Sequence, residues 1–255
     1  MSIVSAHSDG PARDTLARFP LYGFGLAVLA ILVMMLAGLG SRWEWWNFRV
    51  GFTILKWGAY GGLAAGLISL IGLFMAAKRH YRPGLLLGGV GLVSSLLAIG
   101  IPWSWLQTAR SVPPIHDITT DTDNPPQFVA ILPLRKNASN PAEYGGPEVA
   151  AQQRSGYPDL GPVILPESPE TVFERALLVA REMGWEIVDA SSREGRVEAT
   201  DTTFWFGFQD DIVVRITPVE GGSRIDVRSV SQVGKSDVGT NAKRIRKFFQ
   251  TLNHI

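Results

Sequence analysis

The sequence predicts a membrane protein with three transmembrane α-helices and an α+β exported domain. In that domain a four-stranded antiparallel sheet carries two helices on one face. Three observations lead there. Three long apolar stretches fill the first part of the chain, and together they hold a single charged residue. A segment dense in proline follows them. Beyond it, one helical periodicity, four strand-like runs and a second helical periodicity succeed one another.

The apolar stretches are Leu21–Gly40, Val50–Ala77 and Gly84–Ala109, and their one charge is Lys56. A helix needs roughly 20 apolar residues to cross the hydrocarbon core. Within lipid every backbone polar group must be bonded inside its own segment, which makes helix the form expected for isolated runs. The first stretch exceeds the roughly 7–15-residue apolar region of a cleaved signal, and no small-residue cleavage site follows it. Lys56 has no intramembrane acid to pair with, so it is expected to snorkel to the interface and transport is poorly supported.

Orientation follows from Lys and Arg. Arg13 and Arg18 in the tail, and Lys78, Arg79 and Arg82 between the second and third stretches, fall on one side. Arg42, Arg49 and Arg110, partly offset by Glu44, fall on the other. The positive-inside rule then places the N-terminus in the cytoplasm of a bacterial inner membrane and the C-terminal domain in the periplasm. Trp43, Trp45, Trp46, Trp57, Trp103 and Trp105 gather at the outer ends, the wet interface that indole prefers. Gly58, Gly62 and Gly66, and Gly84 and Gly88, recur at fourfold spacing, which lets helix backbones approach within the bundle or against a partner helix.

The predicted divisions are a cytoplasmic tail at 1–19, a membrane block at 20–109, a proline-rich arm at 110–166 and the α+β domain at 167–255. In the arm, proline bars long helices, but Phe128–Leu132 is apolar and needs cover, so the arm is expected to wrap the domain that follows. Pro147 sets up a short helix over Glu148–Arg154.

The domain opens with Ser168 as cap, Pro169 at the first helical position and Glu170 at the positive end of the dipole. Phe173, Ala176, Leu177, Ala180 and Met183 recur at helical spacing until Gly184. Trp185–Ala190, Arg196–Thr202, Asp211–Pro218 and Arg224–Ser231 read as strands joined by short turns. Asn241–Leu252 reads as the last helix. Successive strands with short connections make an antiparallel sheet.

Several motifs fall together in order: Ile115–Asp123, Ala199–Phe208, Asp210–Arg215, Val227–Ser231 and Gly234–Arg246. In these the chain, from about Ile115 to Leu252, resembles the family known as domain of unknown function 1499, in its bacterial form with membrane spans ahead of the domain. The resemblance implies an exported, membrane-tethered domain with relatives in bacteria and plastids. It implies no activity.

Candidate sites are few. Arg228, Ser229, Ser231, Gly234, Lys235, Ser236 and Arg244 surround a glycine-containing loop that opens a helix, where N–H groups attract an anion or a lipid headgroup. The phosphate-loop pattern fails, because Ser229 stands where it needs glycine. In the competing reading Asp237 or Thr240 caps the helix, and the arginines are solvated or pair with Asp201, Asp210 and Asp211. Phe204, Trp205, Phe206 and Phe208 form an aromatic patch, divided by strand alternation between core and an interaction surface. Asp117, Asp121 and Asp123 are weak candidates for a divalent cation, since aspartates before Pro-Pro commonly make turns.

The 24 Lys and Arg nearly balance the 23 Asp and Glu, so nothing argues for nucleic acid as a partner. With no cysteine, thiol catalysis, disulfides and thiolate metal sites are excluded. No cofactor is expected. The leading expectation is a non-catalytic binding or accessory domain that docks a membrane complex or an envelope lipid. The alternative is an envelope-directed hydrolase or transferase using Asp201 or Asp210 near Arg228.

Overall fold

The structure is a computed structural model that describes residues 18–254. The tail expected at 1–19 lies almost wholly outside the described residues. The rest divides into two compact units. One holds the described residues through Trp105 together with Trp205–Gly207, and the other holds 106–204 and 208–254.

The first unit contains three helices: α1 (Phe19–Arg42), α2 (Phe48–Lys78) and α3 (Arg82–Ser111), whose last turns pass into the second unit. All three are long and apolar enough to span a membrane, with mean hydropathies of 2.3, 1.8 and 2.1. Their buried positions are mostly small, among them Gly23, Ala27 and Ala30 of α1, Gly58, Gly62 and Ala65 of α2, and Gly84, Gly88 and Gly91 of α3. Leucines and aromatic residues such as Leu29, Leu67, Phe74 and Leu96 face outward. This is the inverse of a water-soluble bundle. It is the pattern expected in lipid, which rewards neither face over the other, so that close backbone packing selects the contacts. A methyl group on Gly58 would sit 2.5 Å from Met34 Cγ of α1. On Gly62 it would meet Ala98 of α3 at 3.0 Å, and on Gly66 it would meet Ser95 at 3.3 Å. On Gly88 it would meet the Leu73 backbone at 3.2 Å, and on Gly84 the Ala76 methyl at 3.0 Å.

Tryptophans concentrate where α1 ends and α2 begins. Trp43 and Trp45 lie 5.0 Å apart, and Trp45 and Trp46 6.0 Å apart. Trp205–Gly207 belong to the same unit. Trp205 Nε1 donates to the Met35 carbonyl at 3.0 Å, and its ring lies 5.1 Å from Trp105. The Phe206 ring lies 4.9 Å from that of Phe52, tilted by 45°, and its carbonyl accepts from Ser41 Oγ at 3.2 Å.

The second unit is a six-stranded antiparallel sheet with helices. Its elements are β1 (Asp117–Thr119), a 3₁₀ segment (Leu132–Asn137), α4 (Gly146–Gly156), β2 (Val163–Leu165), α5 (Pro169–Glu182), β3 (Glu186–Ser191), β4 (Arg196–Thr202), β5 (Gln209–Val219), β6 (Gly222–Ser231) and α6 (Thr240–Leu252). The strand order is β1-β6-β5-β4-β3, with β2 also on β6.

The expected count of four strands is therefore corrected to six. The two extra strands come from the proline-rich arm. Asp117–Thr119 pairs with one half of β6, opposite Arg228–Val230, and Val163–Leu165 pairs with the other half, opposite Ser223–Ile225. Three-residue strands carry too little periodicity to be read from sequence. They form because β6 would otherwise present an unpaired edge. Gln153 of α4 completes β1 on its far side, its amide donating to the Thr119 carbonyl at 2.6 Å and accepting from the Thr119 N–H at 2.9 Å.

The core lies between one sheet face and α5 and α6. Val197, Ala199, Ile212, Val214, Ile216, Ile225 and Val227 meet Val172, Phe173, Ala176 and Ala180 of α5 and Ile245, Phe248 and Leu252 of α6. Trp185 stacks on Phe248 at 5.4 Å. The helices begin as their sequences require: Ser168 Oγ accepts from Thr171 N–H, and Gly184 closes α5 at φ 79°. The opposite face is covered by the arm. Phe128 and Ile131 pack on Val213 and Val230.

Candidate functional site

Strand alternation gives the sheet two polar systems, one on each face. On the arm face, residues 196 and 198, 211 and 215, and 224, 226 and 228 are charged in register. Arg228 is fully buried. Its guanidinium makes two bonds to the Asp117 carboxylate, at 2.9 and 2.7 Å, and donates to the carbonyls of Pro126 and Ala142. The rings of Phe128 and Tyr144 flank it at 5.1 and 5.5 Å. Burial, with the Asp117 charge nearby, pushes the Tyr144 hydroxyl up to about 12. Glu198, also fully buried, accepts the N–H groups of Val129, Ala130 and Ile131 at 2.9–3.1 Å and pairs with Arg196. Arg135 reaches Asp211. Asp121 and Asp226 share Arg215 and Arg224.

The helix-face system sits at the N-terminus of α6. Arg244 donates to Asp201 at 2.7 Å and Asp210 at 2.6 Å, and to Ser229 Oγ at 3.1 Å. Asn241 links Ser229, Ser231 and the His116 carbonyl. Asp237 occupies the position an anion would take at this helix start. Its carboxylate accepts the N–H groups of Gly239 at 2.8 Å and Asn241 at 2.7 Å. Burial raises its pKa above 3.8, assisted by the Asp210 charge and opposed by those two N–H groups and by Arg244. Val238 takes φ 54° and Gly239 φ 78°, the left-handed turn that brings the carboxylate round.

The sequence-derived sites distribute as follows. Ser229, Ser231 and Arg244 come together on the helix face, while Arg228 lies on the opposite face. Gly234 accepts from the Asn140 side-chain amide, Lys235 is exposed, and Ser236 Oγ accepts from the Val238 N–H. Asp117 is held by Arg228. Asp121 forms a turn, accepting from the N–H groups of Asp123 and Asn124, as well as its two arginine contacts. Asp123 is exposed beside Arg154. Phe204 is 82% exposed, whereas Trp205 and Phe206 are packed as described above.

Sequence reasoning missed Glu198, Asp226 and Gln153. The alternating charges of β4, β5 and β6 are a readable signal for the first two, because charges two apart in a strand share a face. Gln153 gave no signal, since its partner Thr119 lies 34 residues away.

A chain with three helices apolar enough to span a membrane, and a sheet domain whose two faces are tied by buried arginine–carboxylate pairs, defines the class. Within it, the chain belongs to the family described as a protein of unknown function (DUF1499), whose family model matches residues 117–252. That range begins at the first residue of β1 and ends at the last residue of α6. No curated protein matches the chain.

Proposed function

We propose that this protein is a membrane-anchored, non-catalytic accessory or binding domain, held on the periplasmic side of a bacterial inner membrane with its N-terminus in the cytoplasm. It docks a membrane complex or an envelope lipid. The observation that carries this reading is the state of the carboxylates at α6. Asp201 and Asp210, the residues a hydrolase would use, both bond the Arg244 guanidinium. Asp237, the third carboxylate, is engaged in capping α6. A carboxylate committed to a guanidinium within 2.7 Å is a poor general base, because proton transfer must first break a charge-assisted bond. The excess of Lys and Arg on the side of the α2–α3 turn supports the orientation.

The test is native mass spectrometry of the full-length protein in mild detergent, beside an activity screen on envelope substrates. A retained protein subunit or lipid is the expected result. Turnover of an envelope substrate that Asp201→Asn abolishes would refute the reading.

A further inference from the structure

The sheet has two distinct ends. At one end lie the β5–β6 turn at Val219–Gly222 and β2. At the other lie the β4–β5 connection after Thr202, the first residues of β1, the last residues of β6 and the start of α6. The chain arrives from α3 at this second end, through Val112–His116. Five residues span at most about 18 Å when fully extended. This end is therefore the one the chain reaches directly on leaving α3, the last of the three helices apolar enough to span a membrane.

The same end carries its own apolar surface. Arg135, bonded to Asp211 near the start of β5, fixes the 3₁₀ segment there. That segment turns Leu132 and Leu134 outward, 47% and 64% exposed, while Ile131 beside them is buried. Phe204, beyond Thr202 at the tip, is 82% exposed. The acids of this end are already engaged: Asp117 by Arg228, Asp211 by Arg135, Asp201 and Asp210 by Arg244, and Asp237 by the N–H groups of Gly239 and Asn241. Lys136 and Lys235, both exposed, remain to give the surface its charge. Outward leucine and phenylalanine with flanking lysine is the chemistry of an interfacial membrane contact, in which apolar groups enter the headgroup–acyl boundary and cations meet anionic headgroups.

We propose that this end of the sheet rests in the bilayer surface, with Leu132, Leu134 and Phe204 inserted and Lys136 and Lys235 at the headgroups. The proposal rests on the membrane-anchored reading above and specifies lipid as what this surface binds. Because the chain has no cysteine, single-cysteine spin labelling of the full-length protein tests it directly. Leu134→Cys, Phe204→Cys, Ile164→Cys and Leu63→Cys are labelled separately and placed in nanodiscs of phosphatidylethanolamine and phosphatidylglycerol. Collision with oxygen is then compared with collision with a water-soluble nickel chelate.

Labels at 134 and 204 are expected to favour oxygen. The label at 164, on exposed β2 at the far end, is expected to favour nickel. A label at 134 that favours nickel overturns the proposal. So does one shielded from both agents, which would mean a protein contact such as a second copy. Leu63, outward on α2, separates the two failures: if its label also favours nickel, the membrane anchoring itself is wrong.

Discussion

Removing one partner of the Arg228–Asp117 pair should be among the most damaging single changes in the sheet domain. Arg228→Met leaves the Asp117 carboxylate, 4% exposed, without its two charge-assisted bonds. The Pro126 and Ala142 carbonyls lose their donor as well. Breaking a buried pair in this way costs about 3–5 kcal/mol. For a domain of this size, about 2–4 °C of melting temperature per kcal/mol converts that into a drop of roughly 6–20 °C. The assay is a thermal melt of the full-length protein in detergent, followed by pulsed hydrogen exchange of peptides from β5 and β6. Those peptides report the sheet domain and leave the three apolar helices out of the signal. The double change Arg228→Met with Asp117→Leu removes both charges, and should regain most of the loss because no uncompensated ion remains. A single variant within about 1 kcal/mol of the parent, or a double variant as unstable as the sum of the singles, would refute the argument that these charges are mutually dependent.

Two further outcomes are expected. Glu198→Gln replaces one carboxylate oxygen with an N–H₂ group that must face a backbone N–H of the Val129–Ile131 run. It should cost about 1–3 kcal/mol and raise hydrogen exchange across residues 128–137 before β5 is affected; unchanged exchange in that segment would contradict the assignment. Asp237 has a pKa raised in the fold, mainly by burial, so the folded state holds its proton at a pH where the unfolded state has lost it. Its contribution to stability is therefore fully present below the usual 3.8, and is lost as pH rises from there through the raised folded value. In Asp237→Asn that slope should vanish, leaving parent-minus-variant stability more favourable at the acidic end of the window. Chemical denaturation across the window measures it, and a difference that grows with pH instead would overturn the assignment.

The Asp237 case also shows how much of the site could be read early. The sequence offered two readings for the loop before α6, an anion site or a cap, and capping by Asp237 is what the backbone N–H groups of Gly239 and Asn241 display. The pairing of Arg244 with Asp201 and Asp210 was likewise one of the two alternatives. Strand alternation separates Arg228 from its neighbour Ser229: adjacent strand residues face opposite sides, so closeness in sequence set Arg228 on the other face of the sheet from Arg244.

The sequence by itself determined the three membrane-spanning candidates, the succession α-β-β-β-β-α of the domain and the helix boundaries at Ser168 and Gly184. Each rests on local information: unbroken apolar length, a period of 2 or 3.6, or a cap. Only the tertiary structure decided that the proline-rich arm supplies two more strands to β6, that Glu198 ties the apolar run at Phe128–Leu132 to the sheet, and that Gln153 closes the edge of β1. Those depend on pairings across 34 to more than 100 residues, made because a buried edge or charge must find a partner wherever the chain brings one, and no local pattern records which partner that is.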